Sequence, residues 1–263
     1  MKRNPLPRAW LSTLATLAAV GAAAGCDPFP DDSTLGEKGR IEFAYASQCF
    51  LDCSLDHPMA VGSTELITID GAESYAFSSS NVKIATFVKK QVSCGCERSS
   101  GNSADGYGPV DIDGQCADGY QKTCDTYIEA RGLGDGDVEL VVRDDAGELV
   151  DQVRVQVRAA KSATFSRYTG NEWTETPSIS GQPGQQLPVG AVFRDVEGRA
   201  LLTSKGVSWT SDDGDIVEVE HQDALLNWSR GNQARATFHG EGETRIRAKL
   251  GDLETELPVS VAK

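Results

Sequence analysis

Basic charge is scarce in this sequence: 25 lysines and arginines stand against 39 aspartates and glutamates, for a net charge of −14. Affinity for nucleic acid comes largely from lysine and arginine meeting phosphate, so this balance excludes a nucleic-acid partner. It also repels anionic lipid headgroups. Histidine is scarce too, limited to His57, His221 and His239. There is no H-E-x-x-H, no G-x-S-x-G and no glycine-rich phosphate loop, which removes the readings those motifs would carry. Long helical periodicity is absent. A single extended apolar run, Ala9 to Ala24, carries Ser12, Thr13 and Thr16 and falls short of the roughly 20 residues a spanning helix needs. No second run follows it, so the body reads as aqueous.

The sequence opens with a leader. Met1-Lys2-Arg3 and Arg8 give a positive start, the apolar run is short, and Ala22-Ala23-Ala24-Gly25 places small residues where a peptidase would cut. Cys26 follows directly. This arrangement resembles the lipobox of bacterial lipoproteins, with Ala23 where that motif most often has leucine. The resemblance implies that residues 1–25 are removed and that Cys26 is acylated as the first residue of the mature chain. An uncleaved anchor and ordinary signal-peptide cleavage are the competing readings, and the second gives no reason for a cysteine here. Each buried methylene of an acyl chain contributes about 0.8 kcal/mol, so two or more chains attach stably. The expected membrane contact is through this lipid anchor alone. The expected location is the bacterial envelope, at the outer membrane or cell surface, with inner-membrane retention as the alternative because Asp27 follows the cysteine.

Six further cysteines remain: Cys49, Cys53, Cys94, Cys96, Cys116 and Cys124. An even number in an exported chain reads as disulfides. Their pairing stays open among all the combinations six cysteines allow, although Cys94 and Cys96 are too close to pair with each other on a strand. A zinc site is the rival, but C-x-C with C-x3-C and C-x7-C matches zinc spacing poorly. A redox pair would more often be C-x-x-C beside a helix.

The chain after the leader has room for two ordinary domains. Asp27–Gly39, with Pro28, Pro30 and several acids, reads as a flexible tether over 26–39. From Arg40 the pattern is β. Ile41, Phe43 and Tyr45 alternate; Leu66–Ile69 and Ile84–Val88 follow; and Val138–Val142 turns through Asp144–Gly147 into Val153–Val157. The second half repeats this plan, with Leu187–Phe193, Val207–Thr210, Ile216–Val219, Ala234–Phe238, Thr244–Ala248 and Leu257–Val261. Ser79-Ser80-Asn81 through Phe87 faces Thr210-Ser211-Asp212 through Val219, Gly136 faces Gly242, and Val155–Val157 faces Val259–Val261. A repeat of this size means two copies of one fold. The first copy carries extra chain between the matched segments, and Cys94, Cys96, Cys116 and Cys124 all lie in it. The joint at Arg158–Ser162 lacks proline and glycine, so it is expected to be short and stiff by linker length, without a large interface.

Val207-Ser208-Trp209-Thr210-Ser211-Asp212, Ile216–Val219, Gly240–Ile246 and Val259–Val261 resemble the group 2 bacterial immunoglobulin-like domain. The first half resembles it through Ser79-Ser80-Asn81 and Ile84–Phe87, but has Ala76-Phe77 where the strand tryptophan is expected. The resemblance implies an all-β fold of two tandem immunoglobulin-like β-sandwiches, residues 40–158 and residues 159–263; the first departs from the family by its cysteine-rich insertion and is expected to be stapled by disulfides. Domains of this family serve mostly as spacers or adhesive modules, and a shared fold does not fix an activity.

No cofactor and no catalytic residue is expected. Asp111-Ile112-Asp113-Gly114 alternates acids as calcium loops do. Gln115 stands where a third acid is wanted, so a solvated turn competes with Asp111 and Asp113 as weak calcium ligands. Trp209 reads as core, while Trp173 and Trp228 are expected half-buried against strand neighbours, with exposed anchors for a partner as the alternative. The insertion Glu97–Thr123 is the candidate recognition surface, since loops on a rigid sandwich usually carry binding. The expected function is a non-catalytic, lipid-anchored envelope protein serving adhesion or the binding of an envelope protein or glycan. A purely structural spacer or assembly component and an exported enzyme are the alternatives.

Overall fold

The computed structural model describes residues 33–46, 54–70, 74–98, 120–169, 172–222 and 232–263. All regular structure among them is β. The first half contains β1 (Thr34–Leu35), β2 (Glu42–Tyr45), β3 (Met59–Ala60), β4 (Thr64–Asp70), β5 (Ala76–Ser79), β6 (Ala85–Arg98), β7 (Tyr120–Gly132), β8 (Gly136–Arg143) and β9 (Leu149–Arg158). The second contains β10 (Ser162–Tyr168), β11 (Trp173–Glu175), β12 (Ile179–Gly181), β13 (Gln186–Arg194), β14 (Ser208–Ser211), β15 (Val217–Gln222), β16 (Asn232–Phe238), β17 (Gly242–Leu250) and β18 (Leu253–Val261).

Each half packs two sheets face to face. The first half orders them β1-β2-β4-β7-β6 and β3-β9-β8-β5; the second, β11-β10-β13-β16-β15 and β12-β18-β17-β14. Strands in the orders A-B-E-D and C-F-G define an immunoglobulin sandwich. β2-β4-β7-β6 with β5-β8-β9 follows that pattern, and β10-β13-β16-β15 with β14-β17-β18 repeats it. A short strand adds in parallel to the last strand of each copy, β3 on β9 and β12 on β18. The two-residue side-chain period drives the burial. Val138, Leu140 and Val142 of β8 and Val153, Val155 and Val157 of β9 point into the first core, as Ile246, Ala248, Leu257 and Val259 do in the second.

The repeat extends to a matched turn. Ser79 Oγ accepts the Asn81 N–H and Asn81 Oδ1 accepts the Lys83 N–H; Ser211 Oγ and Asp213 Oδ1 do the same for Asp213 and Asp215. Gly136 and Gly242 both adopt positive φ, 146° and 147°, and an added Cβ would approach Ile84 Cδ1 at 2.8 Å and Ile216 Cδ1 at 2.7 Å. Only glycine meets both conditions.

Two expectations are corrected. Residues 33–39, read as tether, belong to the first sandwich. β1 pairs with β2, and the Asp151 carboxylate, fully buried on β9, accepts the backbone N–H groups of Lys38, Arg40 and Ile41. A buried carboxylate needs such donors, and this segment supplies them. The joint is also more than a short linker. Residues 201–206, between β13 and β14, run along the first sandwich: Ala60 N–H donates to Leu202 O, Leu202 N–H to Pro58 O, and Thr64 N–H to Lys205 O. Leu202 packs into the core of the first sandwich and Ala60 into that of the second.

Candidate functional site

The longest departure from the repeat is the β6–β7 hairpin. In the second sandwich the equivalent pair, β15–β16, runs from Val217↔Phe238 to Gln222↔Gln233. In the first, pairing begins at Ala85↔Gly132, passes a bulge at Lys90 and continues to Arg98↔Tyr120. Its base is anchored by Phe87, Ile128 and Ala130, all buried, and Lys90 Nζ meets Glu129 Oε1 at 3.2 Å. Among the described residues, the neighbouring strand β4 pairs with β7 as far as Asp70, opposite Asp125. From Cys94↔Cys124 onward, no other described strand pairs with β6 or β7, and the two form a paired arm. Residues 97–98 and 120–123, expected as loop within the insertion, are strand. Long alternation was not visible there because the segment is polar and rich in glycine and cysteine.

Of the residues singled out from sequence, Cys26, Cys49, Cys53, Cys116, Asp111, Asp113 and Trp228 lie outside the described residues. Cys94, Cys96 and Cys124 lie on the arm, with Cys94 opposite Cys124 and Cys96 opposite Lys122. Trp209 is half-buried as a core residue, its ring 6.0 Å from that of Phe165. Trp173 is half-buried beside Tyr168, ring centres 5.5 Å apart. The three histidines do not converge: His239 Nε2 lies 3.3 Å from Glu218 Oε2, and His221 Nδ1 lies 3.0 Å from Asn232 Oδ1. Among the described residues, no group of three or more His, Cys, Asp or Glu side chains is gathered as metal ligation requires. A shallow groove lined by Ser178, Ser180, Thr244, Arg245 and Ser260 crosses one end of the β12-β18-β17-β14 sheet.

Sequence reasoning missed the polar cluster at the joint. Glu65 on β4 is buried, and its carboxylate accepts the Ser204 N–H at 2.8 Å and the Ser204 hydroxyl. Burial, and then the charge of Glu65, push the Tyr45 phenol well above its ordinary range. On the far side of Ser204, the buried Asn232 donates through Nδ2 to Thr203 O at 3.1 Å and to Ser204 O at 3.4 Å, and accepts Trp209 Nε1–H at 2.6 Å. Arg199 Nη1 adds a contact to Gln156 Oε1 at 3.3 Å. A chain of hydrogen bonds thus runs from β4 of one sandwich to the core tryptophan of the other. This arrangement fixes position, with the Ser204 backbone and hydroxyl both tied to Glu65.

No family model matches the chain, and no curated protein matches it. Among solved structures, domains 4 and 5 of the S-layer protein SbsC are similar at 16% identity and a TM-score of 0.29, over 73% of this chain and 79% of that one. The Escherichia coli adhesin FdeC is similar at 14% identity and a TM-score of 0.31, over 88% of this chain and 65% of that one. Invasin, a bacterial integrin-binding protein, is similar at 13% identity and a TM-score of 0.29, over 85% of this chain and 40% of that one. Likeness at this level carries neither a family nor an activity for this chain.

Proposed function

We propose that this chain is a non-catalytic protein of the bacterial envelope, held by an acylated Cys26, whose first sandwich presents the β6–β7 arm to an envelope protein or glycan. The observation that supports this reading is where the two copies of the fold differ. The sheets, turns and glycines repeat, while the described pairs of one hairpin run on to Arg98↔Tyr120 and those of the other to Gln222↔Gln233. Chain added to a rigid scaffold at one point is where recognition is usually placed. The acidic surface keeps such a body off anionic headgroups, so attachment falls to the lipid.

The test is cross-linked capture from intact cells, comparing the native chain with one whose residues 99–119 are replaced by a short Gly-Ser turn. Loss of a reproducible partner on replacement supports the proposal; equal recovery overturns it. Cys26→Ser should abolish fatty-acid labelling, and protease treatment of intact cells should reach the body if it faces outward.

A spacer role is the second reading, favoured by the joint. Leu202 and Ala60 interlock the two cores, which suits a component that must hold a fixed distance. Loss of envelope integrity in a deletion strain, rescued equally by the native and arm-replaced chains, would select it.

A further inference from the structure

We infer that Cys94 and Cys124 form a disulfide that staples the two strands of the β6–β7 arm. The two residues are register partners on antiparallel strands. Partners directly opposite have Cα atoms about 4.5 or 5.5 Å apart, depending on the hydrogen-bonding of the pair. Both distances fall inside the range of roughly 4.4–6.8 Å that a disulfide spans. The alternatives on the same strands fit worse. Cys96 is opposite Lys122, and positions two apart along an extended strand are about 6.8 Å apart, at the outer limit of the Cα spacing a disulfide spans. Cys96 to Cys124 is a diagonal, with the same difficulty.

The position also has a mechanical reason. The described pairing of β4 with β7 reaches Asp70↔Asp125, next to Cys124. A two-stranded hairpin is marginal in water, and a covalent link across the arm holds its two strands in register. It leaves Cys49, Cys53, Cys96 and Cys116 with three connectivities instead of the full set.

The bond forms by exchange with a disulfide donor of the export compartment. One cysteine thiolate attacks the donor's disulfide, giving a mixed disulfide and a donor thiolate. The second cysteine thiolate then displaces the donor's remaining sulfur. Two electrons pass to the donor, which leaves as two thiols carrying the two protons. The inference rests on the export reading only for the source of that donor.

The experiment uses the Cys26→Ser chain, unfolded, reduced and refolded with glutathione disulfide, beside the same chain exported from cells. Non-reducing trypsin digestion should link peptide Gln91–Arg98 to Thr123–Arg131, and fragmentation across Gly95 should place the bond on Cys94. Cys94→Ser should then expose one alkylatable thiol, on Thr123–Arg131. On reduction, amide exchange in 94–98 and 120–124 should accelerate by about 30-fold or more. A bond from Cys94 to any other cysteine, or free Cys94 and Cys124 thiols after refolding, overturns the inference. The bond found after refolding but absent from the cell-derived chain overturns the export reading alone.

Discussion

Glu65 on the first sandwich accepts the backbone N–H of Ser204 on the second at 2.8 Å. The repeat shows how unusual this carboxylate is. Glu65 pairs with Ala130, which pairs with Phe87; in the second copy Leu187 pairs with Ala236, which pairs with Val219. Glu65 therefore stands where the sister domain has leucine. At that end of the second sandwich an apolar side chain joins the core, whereas in the first the position is covered by residues 201–206 and answers their polar backbone.

Removing this acceptor should loosen the joint. Glu65→Ala leaves the Ser204 N–H and hydroxyl without their carboxylate, at a cost of about 2–4 kcal/mol. The urea midpoint should fall, and small-angle scattering should show a wider spread of interdomain separations. Glu65→Gln, which keeps one acceptor, should fall between. An unchanged midpoint and scattering profile for Glu65→Ala would remove the joint from the account.

Gly206 tests the same contact from the other side. Its φ is +115°, and an added Cβ would lie 2.4 Å from Gly62 O, a backbone atom that cannot swing away. Gly206→Ala should therefore cost about 2 kcal/mol or more. Gly198 also has positive φ, but with nothing within 4 Å of an added Cβ. Gly198→Ala should cost less, so thermal melts of the two variants should rank in that order. Equal losses would mean that backbone strain, not the domain contact, sets the effect.

The fold was legible because its signals are local. Alternation in Val138–Val142 and Val153–Val157, and turn residues at Asp144–Gly147, specify a hairpin without reference to anything distant. The repeat was legible because Gly136 and Gly242 must each be glycine for the same steric reason. The joint was not. Leu201-Leu202-Thr203-Ser204-Lys205 has the composition of any loop, and its burial depends on a partner surface far away in sequence. Glu65 read as a polar residue at a strand start, since a buried acid and a solvated one look alike until the covering chain is in place. The arm's pairing was hidden for a related reason: cysteine spacing constrains disulfides, but register decides which residues face each other.

Trp209 and Phe77 occupy equivalent strands, β14 and β5, and the two copies solve the same packing problem differently. Trp209 gives its indole N–H to Asn232, which holds the carbonyls of Thr203 and Ser204. Trp209→Phe should cost about 1–2 kcal/mol, since a phenyl ring fills most of the site but leaves the hydrogen bond unmade. Asn232→Ala should cost more, because it also leaves the Thr203 and Ser204 carbonyls of the 201–206 strap without their donor. Intrinsic tryptophan fluorescence and denaturation midpoints would check the order; a harmless Asn232→Ala would show that the strap does not depend on the core.

Asp151 sets an acid limit on the fold. Burial opposes its ionisation, but the backbone N–H groups of Lys38, Arg40, Gln152 and Ile41 outweigh that and hold its carboxyl below the usual aspartate range. A group whose folded pKa lies below its unfolded value, about 3.9, lends stability that is complete above that value and is lost as pH falls through the folded one. Asp195, held by Glu197 and Arg199, and Asp137, held by Arg158 and Arg154, act in the same direction. The native chain should therefore keep its urea midpoint from neutral pH to about pH 4 and lose it below. Asp151→Asn replaces an acceptor-only group with one that carries its own donors, and should cost about 2–3 kcal/mol at pH 7. That deficit should shrink as pH drops below about 4, where the native carboxylate also loses its charge. A deficit constant from pH 7 to pH 2 would show that the carboxylate's charge does not hold residues 36–41 against β9.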